Sequence, residues 1–432
     1  MTTSQQDRRT PRWRAAVALC ACATVLVTAG CSTKANTSNN GSASSGGVKT
    51  GPGVTSDTIN LGVLTDLSGV FSVLGKTVTQ GAQLYFNDLN SQGGICGRKI
   101  KLQIQDAGYN VQRAVSAYAG MKDNVLGMEQ LLGSPINAAL KQNIEQDQMF
   151  TVPVSWASTI LDNPNNMIVG TTYDLEMING IEWLMQNKGL TKGDTIGHIY
   201  IQGEYGEDAL LGSKYAAQQL GLKLISQQVT ASATDMSSQV AALKNQGVKA
   251  ILVTTTPTQT ASIVGVDAAS GLNVPVMGNS PTFVPQLLGT AAGPALASLF
   301  YLAASWQPYS GDSVGATKVR AEYSKAYQDV PNGGVDWGYG AAVAYSTVLK
   351  KACDNKDLTR AGVQAAFRQT TSVNTDGILP SLDYSRPGDP PTREALIAQA
   401  DNAVAGGLKV VSPLAASDLA KSYIAPEHGK GG

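Results

Sequence analysis

The sequence predicts a two-lobed α/β fold with a ligand cleft between the lobes. Short β-branched apolar runs alternate with longer amphipathic segments along most of the chain. This alternation indicates βαβ units and a parallel sheet covered by helices on both faces. It forms two successive series, which end near residues 170 and 303, and three helical segments then follow at 316–329, 336–352 and 359–370. About 375 residues lie beyond the N-terminal segments, which is enough for two units of ordinary size.

Each series begins with a strand and continues with alternating helices and strands. The predicted strands are 58–64, 99–105, a short one near 131, 150–154, 195–201, 222–229, 250–254, 274–277 and 299–303. The predicted helices are 75–89, 110–122 with Asn110 as its cap, 174–188, 206–220, 235–245, 258–270 and 281–288. Ligands bind outside the carboxyl ends of parallel strands, so the residues directly after each strand are candidate site residues.

The N-terminal segment has the features of an export signal. Arg8, Arg9, Arg12 and Arg14 precede a small and apolar run at 15–27, which is followed by Ala-Gly and Cys31. The run is shorter than the ~20 residues that cross a bilayer. The pattern resembles a lipoprotein signal over 1–30 with an acyl anchor on Cys31, and the alternative is a plain secretory signal. Residues 31–56, rich in Ser, Asn and Gly, read as a flexible tether.

Charge and composition exclude several classes of partner. Removing residues 1–30 takes four arginines and one aspartate from 32 basic and 32 acidic side chains, which leaves a net charge of −3. No basic stripe exists, so nucleic acid is not expected as a partner. After export and acylation, Cys96 and Cys353 remain, and an oxidising compartment favours a disulfide between them over two separate buried thiols. No metal site is expected, because His198 and His428 are the only histidines.

The chain lacks recognisable catalytic machinery. The loop at Gly69 to Thr77 has five residues between its glycines, where a phosphate-binding Walker A loop has four. No Gly-x-Ser-x-Gly elbow is present, and His198 lies inside a predicted strand. We therefore expect a binding protein without a cofactor and not an enzyme.

Several motifs carry a family resemblance over about 57–411. The stretches INLGVLTDLSGVFSVLG and QGAQLYFNDLNSQGGICGRKIKLQIQDAGYN, with TVPVSWAST, GTTYD, IYIQGEYGED, GLNVPVMG and WGYGAAVAYS, resemble the type I periplasmic binding proteins of branched-chain amino acid ABC importers. The resemblance implies two Rossmann-like lobes joined by a multi-strand hinge, which close over a small ligand. It implies lobe 1 at 57–171 and 306–380, lobe 2 at 172–305 and 381–412, and a C-terminal tail at 413–432.

The resemblance also implies the partners and the binding residues. The protein would act as a monomer, anchored at the outer face of the cell membrane, and deliver its ligand to an ABC permease and its ATPase subunits. A bridge between Cys96 and Cys353 would stay within lobe 1. The residues that fall at the family's ligand-contacting positions, or near them, are Leu74, Ser134, Asn137, Ser155, Trp156, Ala157, Ser158, Tyr205, Thr256, Ser280, Trp337 and Tyr339.

Ser280 leaves the class of ligand open. Amino acid receptors of this kind often carry a glutamate at this position to pair with the ligand ammonium, and a buried unpaired ammonium is costly. Either another acid such as Asp174 or Glu204 takes this part, or the ligand is an ammonium-free carboxylate or amide. A ligand-sensing lipoprotein of the same fold is a further alternative to an importer receptor.

Overall fold

A computed structural model describes residues 44, 45 and 47–425. The predicted signal at 1–30, the acylation site at Cys31 and the tail residue His428 lie outside the described residues. Among the residues described, no helix is both long and apolar enough to cross a membrane.

Most strands follow the predicted alternation, and their bounds shift by only a few residues. In chain order they are β1 (Ser44–Ser45), β2 (Val48–Thr50), β3 (Thr58–Thr65), β4 (Lys99–Asp106), β5 (Gly127–Leu132), β6 (Thr151–Val154), β7 (Thr195–Ile201), β8 (Lys223–Val229), β9 (Ala250–Thr254), β10 (Val276–Asn279), β11 (Phe300–Ala304), β12 (Asp357–Leu358), β13 (Ser372–Val373), β14 (Leu382–Asp383), β15 (Ala395–Ala400) and β16 (Leu408–Ala415).

The helices begin where the chain leaves the carboxyl ends of the strands. In chain order they are α1 (Ser72–Ser91), α2 (Val111–Met121), α3 (Ser134–Gln146), α4 (Tyr173–Asn187), α5 (Glu204–Leu220), α6 (Ser237–Asn245), α7 (Pro257–Ala269), α8 (Gly293–Leu299), α9 (Val314–Ala326), α10 (Gly333–Asp354), α11 (Arg360–Arg368) and α12 (Asp418–Ser422). The predicted helix at 281–288 is instead a short 3₁₀ segment, Pro285–Gly289. The Asn110 side chain accepts the Arg113 amide and caps α2, as predicted.

Two large sheets organise the described residues, and they confirm the predicted two-lobed α/β fold. Two small sheets, β1-β2-β12 and β13-β14, accompany them. The first large sheet has four parallel strands in the order β4-β3-β5-β6. The second large sheet has seven strands in the order β16-β15-β11-β10-β9-β7-β8. Its first five strands in the chain are parallel, but β15 and β16 add to its edge in antiparallel orientation. The sequence analysis did not predict these last two strands.

The chain passes between the two sheets three times, and the crossing segments bond to one another. The first crossing lies between β6 and α4, the second follows β11, and the third precedes β15. The Thr171 amide donates to Ser305 Oγ at 2.9 Å, and the Thr171 hydroxyl donates to the Thr392 carbonyl at 3.0 Å. These bonds join all three crossings, which is the arrangement expected of a multi-strand hinge.

Both ends of the described chain are more ordered than the sequence analysis predicted. Strand β2, within the predicted tether, pairs with β12, and Thr50 is buried there. Strand β16 continues past the predicted boundary at 412, and α12 follows it. Arg393 donates to the carbonyls of Ala420 and Tyr423 at 2.9 and 2.7 Å. Backbone pairing, which composition does not reveal, holds both segments on the folded body.

The predicted disulfide is present. Cys96, in the connection between α1 and β4, bonds to Cys353 in the last turn of α10, and their Cα atoms are 5.8 Å apart. Helix α10 also packs on α1, where the rings of Tyr85 and Tyr339 lie 5.2 Å apart. The bridge therefore fixes the carboxyl-terminal end of α10 next to the four-stranded sheet. The amino-terminal end of the same helix lines a cavity between the two large sheets.

Candidate functional site

A cavity lies where the carboxyl ends of the two sheets face each other. It encloses about 660 Å³ of space free of protein atoms, including its opening to solvent. One side is formed by the segments that follow β3, β4, β5 and β6 and by the first turn of α10. The other side is formed by the first residues of α4 and α5 and by the segments after β10 and β11. Both sheets thus contribute at the position where open parallel sheets bind ligands.

Aromatic side chains form a continuous wall of this cavity. Successive ring centroids lie 5.1, 5.8, 4.8, 6.3 and 4.8 Å apart along Trp337, Trp156, Tyr173, Tyr205, Phe71 and Tyr109. All five contacts are edge-to-face, the geometry that aromatic pairs favour. The wall joins rings from both sheets, so it exists only while the two lobes are close together.

The two tryptophans of the wall offer the cavity only apolar surface. The indole N–H groups of Trp156 and Trp337 both donate to the Val169 carbonyl, at 2.8 and 2.9 Å. A third, Trp306, donates to Ser280 Oγ at 2.9 Å. Because each indole already has its acceptor, none is available to a ligand. Most of the other residues that line the cavity are aliphatic or aromatic, and Leu74 is one of them.

The polar part of the lining is the start of α3. Gly133 precedes this helix with φ 110°, and a Cβ there would lie 2.9 Å from the Tyr109 ring, so glycine fits this position. The Ser134 hydroxyl shares a hydrogen bond of 2.8 Å with Ser155. Burial raises the pKa of Tyr173, and its hydrogen bond with Ser134 opposes that shift. In this helix Pro135 has no amide N–H, and the Ile136 and Asn137 amides donate to the Gly133 carbonyl. The Ser134 amide and hydroxyl are therefore the groups at this end of the cavity that suit an anion.

No carboxylate or cationic side chain is among the residues that line the cavity in the described part of the chain. One acid, Glu176 of α4, lies behind Ser280. Glu176 Oε2 accepts the Ser280 amide at 3.0 Å, and Oε1 accepts the Ser280 hydroxyl at 3.0 Å. Burial raises the pKa of Glu176 well above its usual range, and the two bonds from Ser280 oppose the shift. Ser280 therefore stands between this carboxyl group and the cavity.

The structure brings six of the predicted ligand-contacting residues together at the cavity. They are Leu74, Ser134, Trp156, Tyr205, Ser280 and Trp337. Ser155 is one step removed, because its hydroxyl supports Ser134. Ala157 is fully buried behind the lining.

Three other predicted residues point away from the cavity because local structure uses their side chains. The Asn137 amide group donates to the carbonyls of Leu131 and Gly133, both at 2.9 Å. Thr256 caps α7 in a reciprocal capping box with Gln259. Tyr339 lies on the α1 side of α10, where Lys318 stands 5.8 Å from its ring centroid.

Ser158 and Asp174 belong to a second buried cluster, centred on Asp208 of α5. The Ser158 amide and hydroxyl both donate to Asp208 Oδ1, at 2.9 and 2.5 Å, and the Asp174 amide lies 3.3 Å from Asp208 Oδ2. Burial raises the pKa of both aspartates. Asp174 is therefore not placed to pair with a ligand ammonium, as the sequence analysis had considered. The cluster instead links the loop after β6 to α5, across the two lobes.

Several lining residues were not predicted from the sequence, although a simple rule would have found them. Phe71 and Tyr109 follow β3 and β4, Tyr173 begins α4, and Phe283 and Trp306 follow β10 and β11. All five come soon after the carboxyl end of a strand or start a helix at that edge. Trp156 and Tyr205, which were predicted from the family resemblance, also follow strands, so the rule applied to every aromatic residue at these positions would have recovered these rings of the wall.

Metal chemistry has no candidate cluster in the part of the chain that the structure describes. No group of three or more His, Cys, Asp and Glu side chains there is arranged to hold a metal ion. His198 is fully buried in β7, where its Nε2 lies 2.9 Å from the Thr254 hydroxyl, and burial lowers its pKa to about 3. It is a core residue, as expected from its position in a strand.

Residues 58–407 match the model of a protein family that is described as periplasmic binding protein. A fatty acid ABC transporter substrate-binding protein from Thermomonospora curvata shares 44% identity, with 87% of this chain and 97% of that chain covered and a TM-score of 0.85. A branched-chain amino acid ABC transporter protein from Thermus thermophilus, solved with valine, shares 18% identity over 86% of this chain and 98% of that chain, with a TM-score of 0.75. The Leu/Ile/Val-binding protein of Escherichia coli is 23% identical over 77% of this chain and 88% of its own length.

Proposed function

The chain belongs to the periplasmic binding protein family, the solute-binding components of ABC transporters, and from that premise we propose that its ligand is an ammonium-free aliphatic carboxylate of the fatty acid type. The family consists of solute-binding proteins and is not an enzyme class. The observation that carries the proposal is the cavity itself, which is apolar and has no acidic side chain in its described lining.

The electrostatics of the cavity argue against an amino acid. The ammonium group of leucine or valine would meet no acidic side chain in the described lining, because Glu176 is bonded to Ser280 and Asp174 belongs to its own cluster. Glu204, the other acid considered, begins α5 and is half-buried, but it does not line the cavity. Removing a charged ammonium from water without a counter-charge costs far more than the apolar contacts return. A carboxylate meets the amino-terminal end of α3 and the Ser134 hydroxyl, which are suited to an anion.

Sequence similarity also favours a fatty acid ligand over an amino acid. The relative with 44% identity has the words fatty acid in its name, and the alignment covers 87% of this chain and 97% of that chain. The matches to amino acid receptors lie at 18% and 23% identity, where the fold is shared but ligand preference need not be. An alkyl chain would fit along the aromatic wall, with its carboxylate near Ser134.

A titration with straight-chain carboxylates of increasing length tests the proposal. Each methylene buried against the wall should contribute ~0.8 kcal/mol, or about a fourfold gain in affinity, until the cavity is full. Isothermal titration calorimetry would give the affinity for each acid. Flat affinity across the series, or binding of leucine in preference to every acid, would refute it.

We further propose that the protein is a lipoprotein that delivers its ligand to a membrane permease. The signal-like residues 1–30 and Cys31 support an acyl anchor, and the family supports a permease partner. Mass spectrometry of the N-terminal peptide from membranes should detect an acylated Cys31, and the Cys31→Ala variant should appear in the medium. An unmodified Cys31 on a protein that still remains at the membrane would contradict the anchor.

A further inference from the structure

The buried contact between Ser280 and Glu176 suggests how the charge preference of the cavity is set. Ser280 lines the cavity, whereas Glu176, only one residue layer behind it, does not. Both hydrogen-bond donors of Ser280 are directed at the two oxygens of the same carboxyl group. The Ser280 hydroxyl also accepts the Trp306 indole N–H at 2.9 Å.

We infer that Ser280 is a specificity-determining residue, which shields the Glu176 carboxyl group from the cavity and so makes the site select ammonium-free ligands. The shield works in two ways. It blocks the approach to Glu176, which is 1% exposed. It also supplies the hydrogen bonds that a ligand ammonium would otherwise provide. The inference rests on the proposed function, because it explains why a carboxylate and not an amino acid would bind.

The surrounding contacts hold the shield in one position. The Trp306 indole N–H is directed at the Ser280 hydroxyl, which leaves the hydroxyl hydrogen for Glu176. The Trp306 ring itself packs against Gly333, where a Cβ would lie 1.8 Å from a ring carbon, so no larger residue fits there. The Ser280 side chain is therefore fixed from the cavity side as well as from the Glu176 side.

The inference predicts that removing the shield changes the charge preference. In Ser280→Gly, both the hydroxyl and the Cβ are lost, so Glu176 loses one donor and becomes accessible from the cavity. A ligand ammonium could then bond to Glu176 Oε1, and its positive charge would favour the ionised form of this carboxyl group, whose pKa burial raises. A hydrogen bond between buried charged groups corresponds to a gain of about tenfold to a hundredfold in affinity.

Octanoate and octylammonium are matched probes, since they share an alkyl chain and differ in the sign of the head group. Calorimetric titration of the full chain should show octanoate preferred by the wild type. Ser280→Gly should bind octylammonium at least tenfold more tightly than the wild type does. In the double variant Ser280→Gly with Glu176→Gln, that gain should disappear, because the carboxylate is gone.

Two results would overturn the inference: no gain for octylammonium in a folded Ser280→Gly protein, or a gain that persists after Glu176→Gln. Thermal unfolding confirms that each variant is folded, and Ser280→Ala, which keeps the Cβ, replaces the glycine variant if that one unfolds. The same gain, though smaller, is then expected, and its absence is equally decisive. If the wild type fails to bind octanoate at all, the proposed ligand class is wrong, which is a distinct outcome.

Discussion

Tyr205 offers the sharpest test of how the two lobes hold a ligand. Its side chain is 2% exposed, and its ring lies 4.8 Å from the Tyr173 ring and 6.3 Å from the Phe71 ring. The Phe71 contact crosses from one lobe to the other. The Tyr205 hydroxyl makes only two long contacts, both 3.4 Å, to the Thr255 carbonyl and the Asn279 side chain. The ring and not the hydroxyl should therefore carry the contribution of this residue.

The Tyr205→Ala substitution should weaken ligand binding strongly. An edge-to-face aromatic pair contributes ~0.5–1.5 kcal/mol. Ring contact with the equivalent of one or two methylene groups of the ligand adds ~0.8 kcal/mol for each. Together these terms give a loss of ~1.3–3.1 kcal/mol, which corresponds to about a 10- to 190-fold increase in Kd.

Calorimetric titration with octanoate measures this loss, and Tyr205→Phe is the matched control. The phenylalanine ring keeps both aromatic contacts, so its affinity should stay within about threefold of the wild type. Wild-type affinity in a folded Tyr205→Ala protein would refute the part assigned to the ring. An equal loss in both variants would mean that the hydroxyl, and not the ring, is responsible.

Three further predictions follow from the same contacts. Ser134→Ala should weaken octanoate binding about 10- to 150-fold in calorimetry, since a hydrogen bond to a charged group contributes ~1.5–3 kcal/mol; an unchanged Kd would exclude Ser134 as a carboxylate contact. Reducing the Cys96–Cys353 bridge should lower the unfolding free energy by ~2–5 kcal/mol in denaturant titrations, while octanoate affinity stays within about twofold, because the bridge is at the far end of α10 from the cavity. Burial raises the pKa of Asp174 and Asp208, so their stabilising contribution is complete below the unfolded pKa and is lost as pH rises through the folded pKa. The melting temperature should therefore fall as pH rises above the ordinary aspartate pKa, and Asp208→Asn should flatten this fall; an identical pH profile in the variant would show that another group is responsible.

The alternation of strands and helices predicted the two lobes well, because hydrophobic periodicity reports directly which residues are buried. Strand β3, a continuous apolar run, lies in the centre of its sheet as such runs do. The antiparallel strands β15 and β16 were not predicted, because β15 pairs with β11, which lies almost one hundred residues away in the chain, and β16 pairs in turn with β15. Local sequence patterns carry no information about such a partner.

The predicted site residues also fall into two groups, those that line the cavity and those whose side chains bond to nearby backbone. Residues whose position follows from the end of a strand, such as Trp156 and Tyr205, were predicted at the cavity and lie there. Asn137 and Thr256 also follow strands, but each side chain bonds to nearby backbone instead. Short polar side chains often make such local bonds, which sequence position alone does not distinguish from ligand contacts.

Ser280 stands where the family resemblance led us to expect an acid, and this left the ligand class undecided between two alternatives. Only the three-dimensional structure showed that an acid, Glu176, stands directly behind Ser280 and is bonded to it. The two residues are 104 positions apart, so their proximity is a property of the fold. Because of this contact, the residue at position 280 bears directly on the charge preference of the cavity.

The central claim is that the cavity prefers a carboxylate without an ammonium group. Parallel calorimetric titrations of the purified protein with octanoate and with leucine test it most directly. We predict a saturable isotherm for octanoate and no detectable heat of binding for leucine at the same concentrations. Tight binding of leucine with no binding of octanoate would contradict the account.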